Sequence, residues 1–223
     1  NEEYAMVFDL MCKYAVAFAG RIGFVLRRRG GGSDKRAPLA DLQTTCAMTV
    51  DDVLRVIHGN DLASNVLFLE RELSLVDMPL VENVPNLAME HSGTLNTKNN
   101  AKLTLIHSTP YYRRKEPTIC VFINDRLVEW GELTKTIKQV YNQIVLSGWH
   151  PWTFIHLHLP PNRLDANVSP TKHCVMLADN DVLVGFVKCE LEASLRAAGK
   201  QKRICVPPNA SCSITGSGIT NIT

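Results

Sequence analysis

The chain has 223 residues, 45% apolar and 21% charged, with 24 Lys+Arg against 22 Asp+Glu for a net charge of +2. That length allows one large domain or two small ones around a real core. The near-neutral total excludes a polycation, so any nucleic-acid site has to be a local patch, and no apolar run reaches the roughly 18 residues of a membrane-spanning helix. The seven cysteines (Cys12, Cys46, Cys120, Cys174, Cys189, Cys205 and Cys212) are scattered and never spaced C-x-x-C. This favours reduced thiols of a cytosolic or nuclear protein over a disulfide scaffold or zinc site. The chain opens Asn1-Glu2-Glu3, without initiator methionine or signal peptide, which predicts an excerpt from a longer protein.

Residues 2–18 place Tyr4, Val7, Phe8, Met11 and Ala15 at helical spacing, predicting one buried face. A strand over 22–26 follows, then Arg27-Arg28-Arg29, a glycine loop over 30–33 with Lys35 and Arg36 beyond it, and a short returning strand over 39–43. Thr49 opens a helix in a capping-box pattern with Asp52. Val50, Val53, Leu54 and Ile57 form its apolar stripe, and Gly59 is its expected stop. Strands are predicted at 66–75, 87–95 and 101–107, with a loop over Asn96–Asn100. Residues 118–123 are apolar on both alternating faces, as a strand covered on both sides requires.

Leu133, Ile137, Val140, Tyr141 and Ile144 predict the next helix, ending near Gly148. Residues 153–159 alternate, with Ile155, Leu157 and Leu159 on one face and Phe154, His156 and His158 on the other. A last helix is expected over 181–198 with Gly199 as its stop. The Pro, Ser, Gly and Thr-rich tail from Gln201 reads as a disordered linker. Loosely alternating helices and strands give an α+β fold. The first 47 residues read as the end of one domain and 48–200 as a second.

Candidate chemistry is sparse. In Ser169-Pro170-Thr171-Lys172-His173 the proline stiffens a turn that presents one lysine, a point charge suited to a terminal phosphate; most turn lysines are simply solvated. Asn124 and Arg126 read as turn chemistry, with Arg126 pairing a nearby carboxylate. His156 and His158 form an H-x-H pair, yet no third ligand stands at a suitable spacing, so a polar solvent face of a half-exposed sheet is expected. Tyr111-Tyr112-Arg113-Arg114-Lys115 combines aromatics with three positive charges and is the best nucleic-acid candidate, with Arg27–Arg29 second. No P-loop and no G-x-G-x-x-G occurs.

The run CVFINDRLVEW, the helix after it, His150-Pro151-Trp152, and LDANVSPTKHCV resemble the second half of the transducer domain of MutL-type mismatch-repair ATPases, where the pattern is FVNxR, helix, HPF and VDVNVHPTKHEV. Ser169 and Cys174 depart from the His and Glu of that pattern; the lysine is kept. Residues 2–26 look like the last helix and strand of the family's GHKL ATPase domain. The resemblance implies a ribosomal-protein-like transducer fold of sheet and helices in two layers, with a left-handed β-α-β crossover. It further implies domains at 1–47 (end of the ATPase domain) and 48–200 (transducer), with a linker starting over 201–223.

In function, the resemblance implies a slow ATPase in the parent protein, using ATP and Mg. Lys172 would contact the γ-phosphate, and sequence-independent DNA contact would fall to Arg113, Arg114, Lys115, Arg27 and Arg29. The implied partners are DNA, a second MutL homologue of PMS type and MutS-type mismatch recognition proteins, in the nucleus. PTKH and the His150-Pro151 pair favour the MutL homologue 1 branch. The GHKL nucleotide motifs themselves are missing from this stretch, so the chain alone is expected not to hydrolyse ATP. The rival readings are a type II topoisomerase-like transducer, whose turn is QTK-like, and a stand-alone interaction module.

Overall fold

The structure is a computed structural model and describes residues 2–28, 41–75, 100–112, 114–145, 150–165, 176–177 and 180–204. A five-stranded mixed sheet carries the fold, in the order β3-β4-β7-β5-β6. Its strands are β3 (Val66–Ser74), β4 (Asn100–Ser108), β5 (Thr118–Ile123), β6 (Arg126–Val128) and β7 (Trp152–His158). β7 is the middle strand, antiparallel to β4 and parallel to β5. Parallel neighbours need a crossover, and α3 (Gly131–Ile144) supplies it. Among the described residues β3 is an outer strand, with Glu70, Arg71 and Glu72 exposed.

Helices cover both faces of the sheet. Odd-numbered residues of the central strands, among them Leu103, Leu105, Val121, Ile123, Ile155 and Leu157, pack against α3 and α4 (Asn180–Ile204). Even-numbered ones, Ile106, Phe122 and Phe154, pack with α1 (Glu2–Ala17) and α2 (Val50–Ala63). The H-x-H face is therefore not a solvent face: Phe154 and His156 are buried. Alternation across one strand cannot report a helix that returns from elsewhere in the chain to cover its second face.

The helix starts follow their local signals. Thr49 and Asp52 form the expected reciprocal cap of α2, with Asp52 N donating to Thr49 Oγ1 at 3.2 Å and Thr49 N to Asp52 Oδ2 at 3.0 Å. Gly59 ends the first helical segment of α2 as expected: its φ of 82° and ψ of 172° are not helical, and a short second segment beyond the kink carries Leu62 and Ala63 into the core. Gly199 is no stop, since α4 runs through it to Ile204, four residues into the expected linker. An interior glycine costs about 1 kcal/mol against alanine, which the buried stripe Leu183, Val187, Leu191 and Leu195 outweighs.

The buried face of α1 is Cys12, Ala15 and Val16, whereas Val7 is exposed and Tyr4, Phe8 and Met11 are half-buried. In place of the strand over 22–26, only β1 (Val25–Leu26) pairs with β2 (Leu42–Gln43). The predicted strand at 87–95, most of the Asn96–Asn100 loop, the glycine loop over 30–33 and the tail beyond 204 lie outside the described residues. Polar groups sit inside the first core, on the α3 and α4 side of the sheet (the α1 and α2 side is the second core): the hydroxyl of Tyr141 donates to the Ser108 carbonyl at 2.8 Å, beside the buried ring of His107.

Candidate functional site

The β5–β6 connection turns in two residues. Asn124 (φ 45°) and Asp125 (φ 67°) both lie in the left-handed region and the strands pair on through Ile123 and Arg126. Two consecutive positive φ values define a type I′ hairpin, and Asn and Asp tolerate that region better than most residues. Asn124 is also a clamp. Its Nδ2 donates to the Leu159 carbonyl at 2.9 Å, and its Oδ1 accepts from Leu159 N at 2.7 Å. Its backbone N donates to Leu157 O at 2.9 Å, which carries the β5–β7 ladder past the strand end. The expected turn role of Asn124 holds, with this second task added.

The turn delivers Asp125 to the end of β7, beside His156 and His158. The donor atoms of these three side chains all lie within 4.8 Å of one another. The two imidazole rings are 4.2 Å apart between centroids. Nε2 of His156 is buried and lies 3.3 Å from Asp125 Oδ1, with no well-formed hydrogen bond among the described residues. Burial, and then the His158 ring, push His156 down to about 4 against the pull of Asp125, so the imidazole is neutral near pH 7. A third potential donor, which the sequence spacing does not offer, thus stands on a turn distant in the chain.

Arg21, just beyond α1, completes the cluster. Its Nη2 donates to Asp125 Oδ1 at 3.0 Å and holds that carboxyl below its usual range. The arginine paired with a carboxylate here is therefore Arg21; Arg126 is exposed and has no ion pair among the described residues. Arg21 also reaches the Ala17 carbonyl at 3.3 Å and lies over the Phe18 ring at 4.6 Å.

The basic candidates divide. Arg27, Arg28 and Lys115 are exposed, with Arg28 over the Tyr4 ring at 4.4 Å, and Arg29 and Arg113 lie outside the described residues. Arg114 is half-buried and its Nε donates to the Glu116 carbonyl at 3.1 Å. Of the aromatics beside it, Tyr112 packs into the second core and the Tyr111 hydroxyl donates to the Gly199 carbonyl at 3.2 Å. The thiols offer no nucleophile in the second core: burial pushes Cys12 up to about 11 and Cys120 up to about 12.

Lys172 and its turn lie outside the described residues, but the two ends of their segment do not. β8 (Leu164–Asp165) and β9 (Met176–Leu177) pair antiparallel, Leu164 with Leu177 and Asp165 with Met176, so the segment leaves and returns at one place. Arg163, just before β8, is buried, with its Nη2 donating to the Leu75 carbonyl at 2.6 Å at the end of β3.

The architecture matches a crystal structure of the N-terminal domain of a DNA repair protein, with a TM-score of 0.66 at 16% identity over 92% of this chain and 58% of that one. The molecule is thus an α+β domain of transducer-like fold, a helix-capped mixed sheet. In sequence it matches the family described as DNA mismatch repair protein, C-terminal domain, over residues 83–196, slightly more than half its length, and the chain belongs to that family of MutL-type proteins. The Mlh1 mismatch repair protein of Dictyostelium discoideum is 25% identical over 212 residues, and the MLH1 protein of Saccharomyces cerevisiae is 24% identical over 198. Those alignments cover 90% and 88% of this chain but 22% of each relative, so the chain spans about a fifth of their length. A MutL protein of Flavobacterium johnsoniae is 31% identical over 74 residues, 33% of this chain and 12% of its own.

Proposed function

We propose that this chain is the transducer portion of a MutL homologue of the MutL homologue 1 branch, coupling ATP binding in an adjoining GHKL domain to dimerisation and DNA contact in mismatch repair. Residues 1–47 would be the end of the ATPase domain, 48–200 the transducer, and 201–223 the start of the linker. Lys172 would reach the γ-phosphate of Mg-bound ATP. DNA would be held without sequence preference by Arg113, Arg114, Lys115, Arg27 and Arg29. A PMS-type homologue and MutS-type proteins would be its partners, in the nucleus.

The observation that carries this reading is the family match over 83–196, a span that includes Lys172 and both strands bracketing it. A paired strand base fixes where a loop leaves the domain, which suits a lysine that must meet a phosphate held elsewhere. The outward face of α1 agrees with the domain division. Met6, Val7 and Leu10 are 65%, 47% and 43% exposed, an apolar stripe suited to cover by the rest of an ATPase domain.

The test is steady-state ATP turnover of the protein that carries both this chain and the nucleotide-binding domain. A charge-assisted contact to a phosphate contributes about 1.5–3 kcal/mol, so Lys172→Ala is expected to lower turnover roughly ten- to hundredfold at unchanged melting temperature. Lys172→Arg is expected to restore it only in part, since a planar fork replaces a compact charge. Unchanged turnover in a well-folded Lys172→Ala protein refutes the phosphate role.

A further inference from the structure

The cluster of Asp125, His156 and His158 is built from two rigid elements. His156 and His158 project from the same face of the middle strand of the sheet. Asp125 stands on a two-residue turn that Asn124 locks to the backbone of Leu159 by two hydrogen bonds. Packing alone does not explain the composition. A buried imidazole nitrogen is normally well hydrogen-bonded, yet among the described residues Nε2 of His156 has only a 3.3 Å contact with Asp125 Oδ1, outside good hydrogen-bond geometry. The ion pair with Arg21 accounts for Asp125 but gives neither histidine a task.

We propose that Asp125, His156 and His158 form a binding site for a first-row divalent transition ion of the zinc class, with two imidazole nitrogens and one carboxylate oxygen as ligands and a fourth position open to water. Two nitrogen donors select such ions over magnesium and calcium, which prefer all-oxygen shells. Donor atoms of a tetrahedral shell stand about 3.3–3.5 Å apart, so the three donors, which lie within 4.8 Å of one another, have to close by up to about 1.5 Å, and side-chain rotations of His158 and Asp125, both half-buried, supply that movement. The Asn124 clamp holds the carboxylate-bearing turn and acts as the outer support of the site.

Arg21 is the competitor for this site. Its guanidinium donates to the same Asp125 oxygen that faces His156, so it supplies the positive charge that a metal ion would bring. It need not be stranded on leaving, because the Ala17 carbonyl and the Phe18 ring already hold it. Metal binding is thus an exchange in which a cation takes the carboxylate from Arg21. In that state the link between the end of α1 and the β5–β6 turn is released. This inference is independent of the nucleotide role assigned to Lys172, and its test involves no ATP.

The test is titration of the metal-free 223-residue chain with Zn2+ by calorimetry, together with Co2+ absorption as a geometry probe. One ion per chain is expected, with a tetrahedral-type Co2+ spectrum lacking a thiolate charge-transfer band and with no competition from excess Mg2+. At a free Zn2+ concentration about 100 times Kd, the unfolding equilibrium shifts about 100-fold toward the folded chain. Asp125→Asn and His158→Gln, both conservative and half-exposed, are each expected to weaken binding at least about tenfold, while Arg21→Gln tightens it severalfold. The proposal is overturned by no stoichiometric Zn2+ binding or by a thiolate band. It is equally overturned by affinity that ignores Asp125→Asn and His158→Gln, or by weaker binding in Arg21→Gln.

Discussion

Nε2 of His107 lies 2.8 Å from the hydroxyl oxygen of Ser194, tying β4 to α4 inside the first core. The other ring nitrogen meets the Ser108 carbonyl at 3.1 Å, so one nitrogen carries the proton and the other accepts. The groups facing the ring are Ser108, Ser194 and Tyr141, all uncharged, and burial pushes Tyr141 up to about 12. Burial pushes His107 down from 6.5 to about 4. The unfolded chain therefore takes the proton first. The contribution of this residue to stability is whole above pH 6.5 and is lost as pH falls from there toward about 4, by about 3 kcal/mol in total. His58, also held at about 4 by burial and then by Arg114, adds in the same direction. Urea midpoints at pH 7.5 and pH 5 are expected to drop toward acid, with a shallower slope in His107→Gln; a flat profile would contradict a neutral buried ring.

Asn124 separates two effects that usually travel together. Asn124→Gly keeps the left-handed φ of 45° without steric strain and loses the clamp on Leu159, a loss of about 1–3 kcal/mol for two part-buried hydrogen bonds. Asn124→Ala loses the clamp and adds about 1 kcal/mol of backbone strain. Chemical denaturation of both variants is expected to rank them wild type, Gly, Ala. Equal stability of Gly and wild type would show that the clamp contributes nothing.

Local signals were the ones the sequence carried well. The reciprocal Thr49–Asp52 cap, the stripe of α3 and the doubly apolar β5 each appear where the pattern places them, because cap, stripe and strand are decided within a few residues. What failed to show were the consequences of distant packing. His156 reads as solvent-facing until α1 and α2 fold over the even face of the sheet. The third member of its cluster comes from a turn paired with β7 only through tertiary structure, and Arg21 comes from the far side of α1. Gly59 breaks the helix where the pattern places the stop, whereas Gly199 does not: there a local preference of about 1 kcal/mol is outweighed by the apolar stripe that α4 buries.

The exposed stripe of α1 gives a test of the domain division that needs no nucleotide. In this chain Met6→Glu with Leu10→Glu is expected to change stability by no more than about 0.5 kcal/mol, because both side chains already face solvent. In a longer protein that includes the proposed ATPase domain, the same pair is expected to lower the melting temperature by several degrees, at about 2–4 °C per kcal/mol for a chain of this size. Equal tolerance in both proteins would mean that nothing covers this face.

DNA contact by this chain is expected to be weak, indifferent to sequence and steeply salt-dependent, since phosphate contacts release counterions. The structure ranks the basic candidates. Lys115 is exposed and carries a compact ammonium, whereas Arg114 is half-buried and already donates to the Glu116 carbonyl. Tyr112 is committed to the core, so any base stacking in this segment falls to the exposed ring of Tyr111. Fluorescence anisotropy with a mixed-sequence duplex at several salt concentrations separates these. Neutralising Arg113, Arg114 and Lys115 together should weaken binding and flatten the log-log salt slope, by about one for each phosphate no longer neutralised. Lys115→Ala alone should account for more of that change than Arg114→Ala. If the triple variant keeps the full slope, the DNA-binding role belongs instead to the Arg27–Arg29 run, where Arg27 is exposed and Arg28 is partly held by the Tyr4 ring. Arg27→Ala is then the variant expected to flatten the slope.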